Sequence, residues 1–168
     1  LYNIDYFVGI PVTYQWKGLT IMGRFYHVST HLGDEFILSH PQVERINLSY
    51  EALNFIGSFE PTQWFRVYAG GEYYFDPDPV RYGNWGYMAG IELYVDPDYT
   101  GLPRTVAAFH IKGIEAHDYE PSYSAKLGIQ LWERTLLSFD FYSGFSPNGQ
   151  FFDDEISYWG FTFAFLDL

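Results

Sequence analysis

The sequence predicts an all-β fold, an antiparallel transmembrane β-barrel, and three observations carry that prediction. Hydrophobicity alternates with period two along most of the chain. Aromatic residues make up 22% of the 168 residues, yet no run approaches the roughly 20 apolar residues a spanning helix needs. Short turns interleave with longer loops, as in barrels whose turns lie on one side of a membrane and whose loops lie on the other. The hydrophobic share is 48% while mean hydropathy is −0.14, so apolar and polar residues must be interspersed.

The elements follow in order. Ile4–Gln15 is the first strand-like segment, and Trp16-Lys17-Gly18 breaks it. Leu19–Thr30 comes next, then Val43–Ser58, closed by Glu60-Pro61-Thr62. In Gln63–Phe75, Phe65, Val67, Ala69, Tyr73 and Phe75 share one face; Arg66, Tyr68, Gly70, Glu72 and Tyr74 share the other. Asn84–Val95 sets Trp85, Tyr87, Ala89, Ile91 and Leu93 against Gly86, Met88, Gly90 and Glu92. Asp96-Pro97-Asp98 opens a long connection to Thr105–His117, and Glu120-Pro121-Ser122 leads into Tyr123–Leu131. Leu136–Phe145 is followed by Ser146-Pro147-Asn148-Gly149 and a last aromatic strand over 158–165. Short turns are expected at 16–18, 60–62 and 133–135, longer loops at 32–42, 76–83 and 146–153.

About nine strands are visible in a single domain spanning 1–168. Single-chain bacterial barrels have even strand numbers. The chain opens at Leu1-Tyr2-Asn3, already inside an apparent strand. It therefore reads as N-terminally truncated, with ten or more strands in the full protein. A soluble ligand-binding β-barrel would also alternate. Glycines crowd the polar face here (Gly70, Gly86, Gly90, Gly128, Gly144, Gly160), and the apolar face is aromatic to the strand ends. These features favour a narrow lumen and an aromatic girdle in a bacterial outer membrane.

Charge restricts the partners. The net charge is −12 and the sequence shows no basic patch to neutralise phosphates, which argues against nucleic acid. No cofactor is implied. Nine charges fall at mid-strand on the polar faces: Arg24, Arg45, Glu51, Arg66, Glu72, Glu92, Lys112, Lys126 and Asp140. Each would cost up to about 2–4 kcal/mol against lipid, so all are expected to point into the lumen. Mixed signs at similar depth suggest ion pairs that fill the lumen. The expected role is structural or limited transport.

One stretch carries possible chemistry. In Gly23–Glu35, parity places Arg24 with Thr20, Met22 and Tyr26 in the lumen. By the same parity His27, Ser29 and His31 face outward near a membrane interface, unless a bulge rotates them inward or the strand has by then emerged into the headgroup region. A histidine two residues from a serine on one strand face can accept its proton, and a third polar group can orient that histidine. The candidate set is Ser29 as nucleophile, His27 as base, and Glu44 or Glu35 as orienting acid; membrane lipid or lipopolysaccharide would be the partner. Asp76, Asp78, Arg81, Glu115, His117 and Asp118 could join such a site from the outer loops. No metal site is expected, because His31, Asp34 and Glu35 match no established ligand spacing.

His27-x-Ser29 resembles the His-x-Ser of outer-membrane phospholipases and lipid A 3-O-deacylases, which carry it on an outward-facing strand. Thr30-His31 stand where the phospholipases have Asn-Gly. A wider likeness covers most of the chain. The segments His27–Glu35, Arg45–Leu53, Arg66–Phe75 and Phe145–Phe151 resemble a bacterial family catalogued as domain of unknown function 1207. That resemblance implies an envelope β-barrel and supplies no activity. Its members tend to be longer than this chain.

Overall fold

Alternating side chains give most segments two unlike faces, and the computed structural model lays nine strands side by side. It describes residues 3–42, 46–95, 103–131 and 135–165. The strands are β1 (Asn3–Trp16), β2 (Leu19–Leu32), β3 (Ser49–Thr62), β4 (Phe65–Asp78), β5 (Trp85–Val95), β6 (Thr105–Ile114), β7 (Ser122–Leu131), β8 (Thr135–Phe145) and β9 (Glu155–Phe165). They form one antiparallel sheet in chain order, with β1 and β9 at its edges.

The turns follow local chemistry. Lys17 and Gly18 both have positive φ, 45° and 80°, the geometry of the two-residue hairpin whose twist matches its strands. The second short turn is Gln63-Trp64 and not Glu60-Pro61-Thr62, because β3 continues through Pro61. The register shifts between Phe59 and Thr62, a place where a missing N–H is tolerated. β3 begins at Ser49, later than the expected Val43. β4 runs on to Asp78 instead of ending at Phe75. Asp76, at φ 41°, forms a bulge where two β4 residues stand opposite Tyr50. β6 ends at Ile114, and Glu115–His117 turns as a 3₁₀ helix. The expected turn at 133–135 and the connection after Val95 lie largely outside the described residues.

The longer connections gather at one end. The β2–β3 loop carries the short helix α1 (Asp34–Ser39), and the β4–β5 loop carries the 3₁₀ turn Val80–Tyr82. Arg81 pairs with Asp153 of the β8–β9 loop. The Ile46 amide donates to the Gln150 side chain at 3.2 Å. Tyr82 and Phe152 reach inward to complete an apolar cluster with Tyr26, Leu48, Tyr50, Ala52, Tyr74 and Ile114. Rings meet edge-on or stacked: Tyr50–Tyr82 at 5.1 Å, Tyr50–Tyr74 at 4.9 Å and Tyr82–Phe152 at 5.2 Å. Burying each such side chain contributes about 1.5–3 kcal/mol. The loops thus plug one end of the curled sheet. Beneath them lies a cavity of about 410 Å³, lined by β1–β2 residues on one side and β6–β8 residues on the other.

Small residues on the inner face make room for this packing. A Cβ on Gly86 would come within 2.6 Å of the Tyr74 hydroxyl oxygen. The outward face is the reverse of a soluble surface. Phe25 is 51% exposed, Phe55 56%, Ile91 43% and Leu127 58%, whereas Asn54, Ser138 and Glu72 are buried inside. An apolar exterior around a polar interior is what a strand-built membrane wall requires.

Candidate functional site on the outward face

Strand pairing decides which side chains can meet. β2 pairs with β1 and β3, and registered partners point to the same face. Arg24 stands opposite Pro11 and Asn54, on the inner face with buried Tyr26 and Thr30. By alternation His27, Ser29 and His31 stand outward with Phe25 and Ile21. Their partners form three outward rows: Val8–His27–Glu51, Tyr6–Ser29–Ser49 and Ile4–His31.

Glu51 is therefore a correction. It was expected among the lumen charges, but Tyr50, Ala52 and Asn54 occupy the buried face of β3 and leave Glu51 outward. The reason is physical: β3 carries polar residues on both faces, so its parity cannot be read from polarity. Glu51 Oε1 lies 3.0 Å from His27 Nδ1. On that strand the carboxylate that reaches His27 is Glu51; Glu35 sits in the first turn of α1, past the end of β2. Glu44 lies outside the described residues. His27 is 38% exposed and Glu51 48%.

Ser29 has a partner of its own. Its Oγ lies 3.1 Å from His31 Nε2. Tyr6 meets the His31 ring edge-on at 5.9 Å. Same-face neighbours in a strand are spaced about 6.6–6.8 Å along it. Ser29 thus stands between two imidazoles, one bonded to it and one held by a carboxylate. Such a row can deprotonate a serine hydroxyl and stabilise the imidazolium that forms.

The inner face holds the other charges. Arg66 pairs with Glu92 at 3.1 Å and with Glu60 at 3.5 Å. Lys112 reaches Glu72 at 3.2 Å, and Lys126 pairs with Asp140. Glu72 also accepts hydrogen bonds from Tyr74 at 2.6 Å and Asn54 at 3.1 Å. Arg24 has its guanidinium over the rings of Tyr26 (4.7 Å) and Phe7 (5.3 Å). Arg45 lies outside the described residues.

The loop candidates serve structure. Glu115 accepts from the Asn84 amide at 2.7 Å and the Trp85 amide at 3.2 Å. His117 is stacked on Phe145 with ring centroids 3.5 Å apart, and its Nε2 lies 3.5 Å from Asp153 Oδ1. Burial lowers the His117 pKa below its ordinary value, partly opposed by Asp153. Asp76 and Asp78 lie in the end of β4, and Asp118 caps the turn after β6 in a left-handed conformation. Among the described residues no group of three or more His, Asp and Glu side chains is placed to hold a metal ion.

Comparisons with known proteins agree with this architecture. The family profile described as "Protein of unknown function (DUF1207)" matches residues 1–166. No curated protein matches the sequence. Among solved structures, the outer membrane phospholipase A from Escherichia coli superposes with a TM-score of 0.64 at 15% identity. The match covers 98% of this chain and 60% of that one, so the chain spans about three fifths of that protein's length. At this identity the likeness shows a shared strand-built barrel fold.

Proposed function

The chain belongs to the DUF1207 family of proteins of unknown function, and from that premise we propose that it is a bacterial outer-membrane barrel that hydrolyses acyl esters of membrane lipid on its outward face. The observation that carries this reading is the His27–Glu51 pair, 3.0 Å apart, beside Ser29 at the polar end of a largely apolar surface. A carboxylate and two imidazoles facing lipid are costly. The imidazoles lie in the loop-side half of β2 and the carboxylate near the start of β3, and on this reading that end of the wall meets the ester linkages and headgroups.

The chemistry follows acyl transfer. Ser29 Oγ attacks the ester carbonyl carbon and passes its proton to the imidazole of His27. Glu51 stabilises the imidazolium through Nδ1 and leaves Nε2 for the serine. The tetrahedral intermediate expels the lysolipid alkoxide, which takes the proton back. Water, deprotonated by the same base, then hydrolyses the acyl-serine and releases fatty acid. At rest Ser29 is held by His31; the mechanism requires the hydroxyl to turn from there toward His27. Phe25, Val8 and Phe75 flank the row and offer apolar contact for an acyl chain.

The test is lipid mass spectrometry on the full-length protein in vesicles of phospholipid and lipopolysaccharide, with and without calcium. Fatty acid release that disappears in Ser29→Ala supports the hydrolase. No release from folded, inserted protein sinks it.

A second reading, a structural or limited-transport barrel, draws on the inner face. Ion pairs and the Tyr82–Phe152 plug occupy the lumen, which favours a stiffened wall over a wide pore. Planar-bilayer conductance separates the two roles of that reading: steady ion flow would favour transport.

A further inference from the structure

β2 loses one neighbour where the candidate site begins. Its ladder with β1 continues to Asn3–Leu32, but its ladder with β3 stops at Ser29–Ser49. Beyond that point on the β3 side, the Thr30 amide donates to the Leu48 carbonyl at 2.9 Å. Past Thr30 the strand end is paired with β1 alone among the described residues, and a twist there would swing His31 and the Ser29 hydroxyl bonded to it.

Thr30 opposes that motion from the inside. It lies between those two residues, points the other way, and is fully buried. Its hydroxyl donates to Asp5 Oδ1 at 2.8 Å, and Asn3 Nδ2 donates to the same oxygen at 2.9 Å. Gly149 of the β8–β9 loop presses on Thr30 from above. A Cβ there would collide with Thr30 Oγ1 and come within 3.0 Å of Leu48 Cδ2. Gly149 and Gln150 are themselves buried, and Gln150 is tied to the Ile46 amide.

We infer that Thr30 and Gly149 are positioning residues for the outward serine. Thr30 locks the strand end to β1 through Asp5, and Gly149 lets the β8–β9 loop seat on it. The inner plug thereby sets the geometry of the outer face, although neither residue touches substrate. The inference rests on the hydrolase reading.

The experiment compares wild type, Thr30→Val, Thr30→Ser and Gly149→Ala, full length in phospholipid vesicles, with folding verified by circular dichroism and heat-shifted gel mobility. Fatty acid release is followed against lipid mole fraction to separate kcat from KM. Misplacement of a reacting group by about 1 Å can cost on the order of 100-fold. Thr30→Val is expected to lower kcat about 10- to 100-fold with little change in KM. Thr30→Ser, which keeps the hydroxyl, is expected to recover most of the rate, and Gly149→Ala to lose it. A folded Thr30→Val with wild-type kcat overturns the inference alone. So does a failure of Thr30→Ser to restore rate. A wild type that releases nothing overturns the hydrolase reading, and this inference falls with it.

Discussion

His27 and Glu51 face each other across β2 and β3 with 3.0 Å between Nδ1 and Oε1, although 24 residues separate them in the chain. Both lie on the outward face, where their strand neighbours Phe25 and Phe55 are about half exposed. A carboxylate in such surroundings needs a reason to be there, and orienting an imidazole beside a serine is one.

Glu51→Gln should therefore leave the fold intact and slow lipid hydrolysis. The amide oxygen can still accept from Nδ1 but lacks the charge that stabilises an imidazolium, and a well-placed acid–base group contributes on the order of 10²–10⁴ in rate. Initial rates of fatty acid release, compared at equal amounts of folded protein, read this directly. His31→Ala should cost less, because it removes the resting partner of Ser29 and leaves the His27–Glu51 pair. Equal losses in the two variants would contradict the assigned roles.

Glu72 should dominate the stability of the inner face. It is 2% exposed and holds Lys112, Tyr74 and Asn54 together. Glu72→Leu removes the acceptor of two buried donors, at a cost of about 1–3 kcal/mol for each group left unpaired, and leaves Lys112, 40% exposed, without its partner. The double variant Glu72→Leu/Lys112→Met should recover only a minor part of that loss, because Tyr74 and Asn54 still lack that acceptor. Denaturant unfolding in lipid vesicles measures both.

The outward face should reject charge at mid-strand. Ile91→Arg, near the centre of β5, is expected to destabilise the inserted protein by about 2–4 kcal/mol, and Met88→Gln on the inner face by much less. Equal costs would show that the two faces meet the same solvent.

The loop plug should loosen in acid. The pKa of His117 is lowered by burial from its ordinary 6.5, helped by Arg81 and opposed by Asp153 and Glu120. A lowered folded-state pKa means that the unfolded chain takes up the proton first. The stability that neutral His117 contributes is complete above about pH 6.5 and is lost as pH falls through the lower folded value. Protease protection of the loops should fall between pH 7.5 and 5 in wild type and fall less in His117→Phe.

The strands were legible because lipid and lumen impose period two on β4, β5, β7, β8 and β9 alike. Arg24, Ser29 and the two outward histidines followed from that same parity within β2. Glu51 did not. Asn54 and Ser58 on the inner face of β3 are as polar as Glu51 and Ser49 on the outer one, so no hydrophobic phase marks the strand. Its register against β2 passes through a long loop, not a tight hairpin, and cannot be counted from the sequence. The plug was hidden for a related reason. Tyr82 and Phe152 sit in loops, where an inward aromatic looks no different from one of an interfacial girdle.

The most direct test is covalent trapping of the nucleophile. Folded protein in phospholipid vesicles would be treated with a long-chain alkyl sulfonyl fluoride, and the modified residue mapped by peptide mass spectrometry. The account predicts a single adduct on Ser29 that is strongly reduced in His27→Ala. An unlabelled Ser29 in folded, inserted protein would contradict it.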